Sequence, residues 1–215
     1  MQLFWIQWQW KSKWILYYLL HNISNCLDIT SSTDLFWLLS ANNHKNTCNY
    51  KKHKSRTAVR NWTKGFWRMD SRQIERIVWR NKRARKYFKG CYPCDQIPRV
   101  NEFPALFIVN EDNSTQRGTH WTSIYLPSKD KAYYFDSFGC KPNPCISKCF
   151  ENFNCVIFNH IPLQSVFSDV CGHYCIFFVL SICKGFNFND VLRTLSKQHN
   201  PDYFVRNVVF SLMQG

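Results

Sequence analysis

The order of the predicted elements indicates an α+β domain over residues 69–215. One helix pattern comes first, four short strand patterns follow, and helix patterns close the chain. Helices and strands that are segregated along a chain are typical of α+β folds. An aromatic content of 17% supplies enough large apolar side chains for a packed core in a domain of this size.

The first predicted element is a helix that Asp70 or Ser71 can cap. Apolar residues recur at helical spacing from Ile74 to Val78. The segment "RNKRARKYFKG" continues this helix with a basic face, and the helix is expected to stop at Gly90. Two prolines in "CYPCDQIP" then indicate a turn segment.

Four segments have the composition of short strands. "ALFIVN" (105–110) is an apolar run between polar segments. "THWTSIYL" (119–126) and "KAYYFDSF" (131–138) are joined by "PSKD" and are predicted to form a hairpin. "CVIFN" (155–159) is a further strand. The last elements are an apolar helix that follows "DVCGHYC" to about Cys183 and two amphipathic helices, near Asn189–Gln198 and Pro201–Met213.

Residues 1–68 differ from the rest of the chain. They are basic and rich in aromatic residues but show no clean period, and the stretch 40–56 has the Asn-rich, polar composition of a linker. We expect this extension to be poorly ordered or not part of the functional domain. It could also be upstream sequence, with Met69 as the true start. "KKHKSR" (51–56) is either a nucleic-acid or nuclear-import patch or a solvated tail.

The net charge and the cysteine content indicate which partners and which cellular compartment to expect. A formal net charge of +14 favours acidic partners such as nucleic acid. The eleven cysteines form no regular framework, and "WILYYLL" (14–20) is too short for a membrane span. We therefore expect a monomer without a membrane anchor, in a reducing compartment and with mostly free thiols.

The segment "DVCGHYC" (169–175) places a thiol where a loop is predicted to become a helix. Cys171 is a candidate nucleophile there, because the positive end of a helix favours a thiolate. Asp169 is a candidate cap for this helix, and Gly172 removes side-chain bulk where a substrate must approach. Cys175 lies one turn later beside an apolar face and is predicted to be core. His173 has no role that follows from the pattern.

A nucleophilic thiol needs a base, an orienting group and oxyanion donors, and the sequence offers a candidate for each. His120 begins one predicted hairpin strand and Asp136 ends the other. Because the start of one strand lies beside the end of its hairpin partner, these two side chains are expected to meet. Gln164, seven residues before Cys171, has an amide that can donate to an oxyanion.

These segments together resemble a known family. "GTHW", "YYFDSFG" and "LQSVFSDVCGHYC", in that order, are similar to the motifs of the adenovirus-type cysteine proteases, including those of Polinton/Maverick-type transposons. "MDSRQIERIV", "FKGCYPCDQIP" and "PALFIVN" add to the resemblance, which covers residues 69–215. This family is related to the proteases of ubiquitin-like proteins (SUMO). An aspartate at position 136, where adenoviral members often have glutamate, is more similar to the SUMO-protease branch and to transposon relatives.

The resemblance implies a papain-like cysteine protease fold with permuted catalytic order and a central mixed sheet flanked by helices. It implies His120 as general base, Asp136 as its orienting partner and Cys171 as nucleophile. Gln164 and the backbone N–H of Cys171 would be the oxyanion donors, and Trp121 would pack beside the site.

The resemblance also implies a substrate class. The expected substrates are viral or transposon structural precursors, cut near small residues such as glycine. Deconjugation of SUMO or other ubiquitin-like modifiers is the alternative, and either activity would place the protein in the nucleus, in a virion or in the cytoplasm. No cofactor is required for the chemistry, but related enzymes are stimulated by DNA and by a peptide. Cys155 is a candidate attachment site for such a peptide, and the candidate DNA contacts are Arg80, Lys82, Arg83, Arg85 and Lys86.

Two other interpretations remain open from the residues alone. A zinc module could use Cys91 and Cys94, which have ligand spacing, together with Cys171, His173 and Cys175. No second matched Cys-x-x-Cys accompanies them, so no metal site is predicted. A basic nucleic-acid-binding protein without catalysis is the other interpretation, although all four catalytic positions are present.

Overall fold

A computed structural model describes residues 68–214. The prediction for residues 1–68 therefore lies, apart from Arg68, outside the described residues. Within them, none of the helices is both long enough and apolar enough to cross a bilayer.

The described chain begins with a capped helix, α1, at Ser71–Arg80. The Asp70 carboxylate accepts from the backbone N–H of Gln73, and the Gln73 side chain accepts from the N–H of Asp70, which completes a capping box. A short helix, α2, follows at Ala84–Tyr87. The predicted continuous helix to Gly90 is wrong, because the chain leaves helical geometry at Asn81.

Five strands form one mixed sheet in spatial order β1 to β5. The outer pairs, β1 with β2 and β4 with β5, are parallel, whereas β2–β3 and β3–β4 are antiparallel. The strands are β1 Phe88–Pro93, β2 Ala105–Asn110, β3 Trp121–Leu126, β4 Lys131–Phe135 and β5 Cys155–Phe158. The four predicted strands are thus confirmed, and β1 replaces the end of the predicted helix and part of the predicted turn.

Helices follow β4 and β5. A short helix, α3, at Pro144–Ser147 leads through a 3₁₀ turn at Lys148–Phe150 into β5. The last elements are three helices: α4 at Cys171–Lys184, α5 at Phe188–Ser196 and α6 at Pro201–Gln214. The three predicted C-terminal helices are confirmed, and the predicted α+β class is confirmed as a five-stranded mixed sheet flanked by helices.

The core lies on both faces of the sheet. Leu106 and Ile108 of β2 pack with α1 and α4 on one face, whereas Phe107 and Val109 face the second cluster, which includes residues of α3. Successive side chains of a strand point to opposite faces, so β2, with all six residues buried, is expected to be largely apolar. Its sequence "ALFIVN" is apolar except for Asn110, whose side-chain oxygen accepts from the N–H groups of Asp112 and Thr119.

Disulfides occur in the described part of the chain. Cys94, just after β1, is bonded to Cys145 of α3, and Cys140 and Cys155 are disulfide-bonded as well. The free thiols among residues 68–214 are Cys91, Cys149, Cys171, Cys175 and Cys183. Of the nine cysteines among the described residues, five are thus free and four are disulfide-bonded. The sequence did not predict these bonds, because the fold brings together cysteines such as Cys94 and Cys145, which are 51 positions apart.

Candidate active site

His120 and Asp136 meet at one end of the β3–β4 hairpin. His120 lies immediately before β3 and Asp136 immediately after β4, so antiparallel pairing brings them together. The His120 Nε2 atom lies 2.6 Å from Asp136 Oδ1, and both side chains are buried. The predicted juxtaposition is therefore present.

The Asp136 carboxylate is held by backbone donors. The N–H of Phe138 donates to Oδ1 over 3.0 Å, and the N–H of Cys140 donates to Oδ2 over 2.9 Å. Together with the contact to His120, these hydrogen bonds give partners to both oxygens of the buried carboxylate and fix its orientation.

Asn159, which the sequence did not single out, fixes the backbone of Asp136. Its Oδ1 accepts from the Asp136 N–H over 2.9 Å, and its Nδ2 donates to the Asp136 carbonyl over 2.6 Å. Gly139 shapes the same turn at φ +68°, where a Cβ would lie 2.7 Å from the backbone of Ile161. Only glycine accommodates both that conformation and that close approach.

Cys171 is the first residue of α4. The N-cap residue is Val170, and no side chain caps this end of the helix, so the prediction that Asp169 caps it is wrong. Free N–H groups at a helix N-terminus favour a nearby negative charge. The Cys171 thiol is 8% exposed and lies at the wall of a cavity, which makes it accessible although it is largely buried.

The His120 imidazole and the Cys171 thiol form a coupled pair. Burial by itself would lower the pKa of His120, but the charge and hydrogen bond of Asp136 outweigh burial, so this pKa is raised. Burial by itself would raise the pKa of Cys171, but the hydrogen bond and charge of His120 outweigh it and lower this pKa. The pair is therefore suited to exist as thiolate and imidazolium.

The pKa of each of the other four free thiols among the described residues is raised rather than lowered. Burial raises the pKa of Cys183 to about 11 and that of Cys149 to about 12. Burial also raises the pKa of Cys91, with a further contribution from Glu75, and that of Cys175. Cys175 is fully buried, which confirms the prediction that it is core.

Gln164 lies beside the segment that leads into α4. Its Oε1 accepts from the Ser137 hydroxyl over 2.7 Å, and its Nε2 donates to the Ser168 carbonyl over 2.9 Å. The backbone N–H of Gln164 also donates to the Ser137 carbonyl over 2.9 Å. A primary amide has two N–H donors, so one hydrogen bond to Ser168 leaves the second donor for another acceptor.

A cavity of about 550 Å³ opens beside Cys171. Its walls come from the segment before α1, the end of β1 and the connection between β2 and β3. Polar side chains that line it include Gln96, Asn110, Asn113 and Gln116. A pocket of this size can enclose several residues of an extended polypeptide or a small ligand.

Trp121 lines this cavity, and Gly172 packs close to Trp121, Met69 and Ile74. The indole N–H of Trp121 donates to the Met69 carbonyl over 2.9 Å. A Cβ on Gly172 would lie 3.3 Å from both Ile74 Cδ1 and Met69 Cβ. Gly172 is buried, so its missing side chain allows α1 to pack against α4 rather than leaving room for a substrate as expected.

The residues named in the alternative zinc interpretation do not form a cluster of metal-binding donors among residues 68–214. Cys94 is used in a disulfide, and His173 is buried within α4. In residues 68–214, one set of donors lies close enough together for an ion: Glu111, His120 and Asp136, within 4.8 Å of one another. Glu111 is thus a second buried carboxylate near His120 that the sequence did not reveal.

The remaining predicted residues lie away from these side chains. The five basic residues do not share one helix, because Arg80 ends α1, Lys82 and Arg83 lie between helices, and Arg85 and Lys86 belong to α2. The Arg80 guanidinium donates to backbone carbonyls of α6. Cys155 begins β5 and is disulfide-bonded, so its thiol is not free to attach a peptide in this structure.

Comparison with known proteins gives likenesses of structure only. No family model and no curated protein matches the chain. The ASFV pS273R protease is similar with a TM-score of 0.47 and 14% identity over 65% of this chain, and this chain covers 66% of the length of that protease. Its selenomethionine form gives 0.44 and 15% over the same shares.

A bacterial protein is also similar. The central domain of the uncharacterized Lpg1148 protein from Legionella pneumophila gives a TM-score of 0.40 and 12% identity, over 69% of this chain and 99% of that one. The function is therefore argued from the side chains of the site.

Proposed function

We propose that the protein is a thiol endopeptidase with Cys171 as nucleophile, His120 as general base and acid, and Asp136 as the orienting carboxylate. The observation that carries the proposal is the 2.6 Å contact between His120 and Asp136, combined with the lowered pKa of the Cys171 thiol at the start of α4. A buried imidazolium–thiolate pair beside an open cavity is the arrangement that nucleophilic catalysis by cysteine requires.

In the first step, the Cys171 thiolate attacks the carbonyl carbon of the scissile peptide bond. His120 Nε2 is bonded to Asp136, so Nδ1 is the ring nitrogen that serves the thiol. His120 gives its proton to the leaving amine as the C–N bond breaks, and an acyl-thioester remains on Cys171. His120 then takes a proton from water, whose oxygen attacks the thioester carbonyl carbon. The C–S bond breaks, the carboxylic acid product leaves, and the Cys171 thiolate and the His120 imidazolium are restored.

The negative charge that develops on the carbonyl oxygen needs donors. The backbone N–H of Cys171, at the uncapped end of α4, and the second amide hydrogen of Gln164 are the proposed donors. Gln164 is positioned by Ser137 and Ser168, which supports this role because an oxyanion donor is effective when it is held in place beforehand. The proposed chemistry uses groups of the protein chain and water, and needs no metal or cofactor.

The proposed substrates are structural precursor proteins of viral or transposon type, cut near small residues such as glycine. The polar cavity beside Cys171 supports a polypeptide substrate. SUMO or other ubiquitin-like conjugates are the alternative class, and supplying a capsid-type precursor and a SUMO precursor side by side separates the two. Stimulation by DNA, through the basic residues near α2, or by a peptide remains part of this proposal, as do a monomeric state and a nuclear or virion-associated location.

Alkylation of the thiols tests the proposal directly. Iodoacetamide at pH 6 should modify Cys171 faster than the described free thiols Cys91, Cys175 and Cys183, as read by peptide mass spectrometry, because only Cys171 has a lowered pKa among them. His120→Ala should abolish this preference, and Cys171→Ala should abolish cleavage of protein substrates while the fold is retained. Full cleavage by Cys171→Ala would refute Cys171 as the nucleophile, whereas absence of cleavage by the unmodified protein would favour the non-catalytic, nucleic-acid-binding alternative.

A further inference from the structure

A turn close to Cys171 displays apolar side chains to solvent. Val166 is 46% exposed and Phe167 is 92% exposed, and Ile161 on the same loop is 49% exposed. Among the large apolar side chains of residues 68–214, none is as exposed as Phe167. Isolated exposed apolar residues are ordinary, but several on one loop mark an interaction surface.

Hydrogen bonds hold this turn, Ser165–Ser168, in one conformation. The N–H of Ser168 donates to the Ser165 carbonyl over 3.0 Å, and the N–H of Phe167 donates to the Ser165 hydroxyl over 3.3 Å. The Gln164 amide donates to the Ser168 carbonyl over 2.9 Å. The turn that carries Val166 and Phe167 is therefore hydrogen-bonded directly to Gln164, the proposed oxyanion donor.

The helices behind the turn anchor it as well. The N–H of Ser165 donates to the Asp202 carboxylate over 3.3 Å, and the Tyr174 hydroxyl of α4 lies 2.8 Å from the same carboxylate. A surface loop fixed at both ends loses little conformational entropy when it binds a partner. Phe167 is thus presented in a fixed position although it makes little contact with the protein.

The position of the turn indicates what covers it. The Ser165–Ser168 turn does not line the cavity beside Cys171, and Gln164, the residue before the turn, is held to the Asp136–Cys140 segment by the Ser137 hydroxyl. Phe167 lies four positions before Cys171, which limits the separation of their Cα atoms to about 14 Å. An extended polypeptide advances about 3.3 Å per residue, so a substrate bound at Cys171 reaches Phe167 within about four residues.

We propose that Ile161, Val166 and Phe167 form a docking surface for the substrate polypeptide and select a bulky apolar residue within about four positions of the scissile bond. This inference rests on the proposed function and adds to it the chemical class of the sequence that is cut, which includes a bulky apolar residue near the scissile bond.

The test uses peptide mixtures randomised on both sides of a central glycine, with products identified by mass spectrometry. The full chain is compared with Phe167→Ser, Phe167→Leu and the matched control Phe186→Ser, since Phe186 is also an exposed phenylalanine, beyond the far end of α4. Phe167→Ser should lower kcat/KM about tenfold or more on peptides with Leu or Phe at the preferred position. Phe167→Leu should restore most of it, and Phe186→Ser should match the unmodified protein.

The outcomes separate the two proposals. Cys171-dependent cleavage with the same sequence profile in Phe167→Ser overturns the docking surface and leaves the endopeptidase standing. An unchanged profile accompanied by a lower sedimentation coefficient in Phe167→Ser also overturns it, and assigns the surface to contact with a second copy. If no peptide or protein is cut in a Cys171-dependent manner, the endopeptidase and the docking surface both fall.

Discussion

The His120 imidazole and the Asp136 carboxylate are joined by a 2.6 Å contact, and neither side chain is exposed by more than 2%. An ion pair without water interacts strongly, because the low local dielectric does not screen it. This contact gives His120 the charge that in turn lowers the pKa of the Cys171 thiol. The Asp136 carboxylate thus raises the pKa of His120, and the charge of His120 lowers the pKa of Cys171.

Removal of the carboxylate should narrow the pH range of activity from both sides. In Asp136→Asn, the charge that raises the pKa of His120 is lost, so the alkaline limb of kcat/KM moves to lower pH. The thiol loses its imidazolium partner, so its pKa rises and the acid limb moves to higher pH. Activity at the optimum should fall about 10²–10⁴-fold. A pH–rate profile measures this, and unchanged limbs would show that Asp136 has only a structural role.

Loss of the glutamine amide should lower turnover more than binding. Gln164→Ala should lower kcat about 10²–10³-fold with KM nearly unchanged, because an oxyanion donor acts in the transition state. Ser137→Ala removes the hydroxyl that donates to Gln164 Oε1 over 2.7 Å and should cause a smaller loss in kcat. Steady-state kinetics on one substrate decides the point, and a rise in KM alone would contradict the role as donor.

Asn159 should stabilise the site through the backbone of Asp136. Asn159→Ala leaves the buried N–H of Asp136 without a partner, which costs about 1–3 kcal/mol. The Asp136 carbonyl loses one donor but keeps the N–H of Gly139 at 2.9 Å. Asn154→Ala is the matched control, since its exposed hydrogen bond to Asp130 contributes little. Urea denaturation compares the free energies of unfolding, and equal values for the two variants would contradict this assignment.

Gly172 should be intolerant of a single added methyl group. In Gly172→Ala, Ile74 and Met69 must move, and overpacking of this kind costs about 1–3 kcal/mol. The exposed Lys184→Ala, in the same helix, should change stability by about 0.5 kcal/mol or less. Thermal denaturation compares the stability of the two variants. If Gly172→Ala is as stable as the unmodified protein but cleaves more slowly, Gly172 is needed to leave room for the substrate instead.

The start of the functional domain should lie close to Arg68. The Arg68 guanidinium donates to the Gly118 carbonyl over 2.6 Å, and the Met69 carbonyl accepts from Trp121. A chain that begins at Arg68 or Met69 should keep its activity, whereas one that begins at Ser71 should lose the support of Trp121 and show a lower melting temperature. Unfolding of the chain that begins at Met69 would place the boundary further upstream.

Local patterns predicted much of the fold and of the candidate site. The alternating run of β3 and β4 and the turn between them predicted that His120 and Asp136 meet, because a hairpin pairs residues by register alone. The loop-to-helix change at "DVCGHYC" predicted that Cys171 begins α4. Each of these inferences depends on contacts between residues that are near in sequence.

Other features followed only from the tertiary structure. The segment Phe88–Pro93 was predicted as helix and turn, but it forms β1 because it pairs with β2, and such pairing overrides local propensity. Asn159 is, by sequence alone, an ordinary polar residue far from His120, and Glu111 lies beside His120 because β2 pairs with β3, a pairing that the sequence did not predict. The sequence by itself thus determined the hairpin that places His120 beside Asp136 and the helix that begins at Cys171, the candidate nucleophile. The packing of distant segments decided which buried groups surround that pair, because contacts across the sheet leave no periodic trace in the chain.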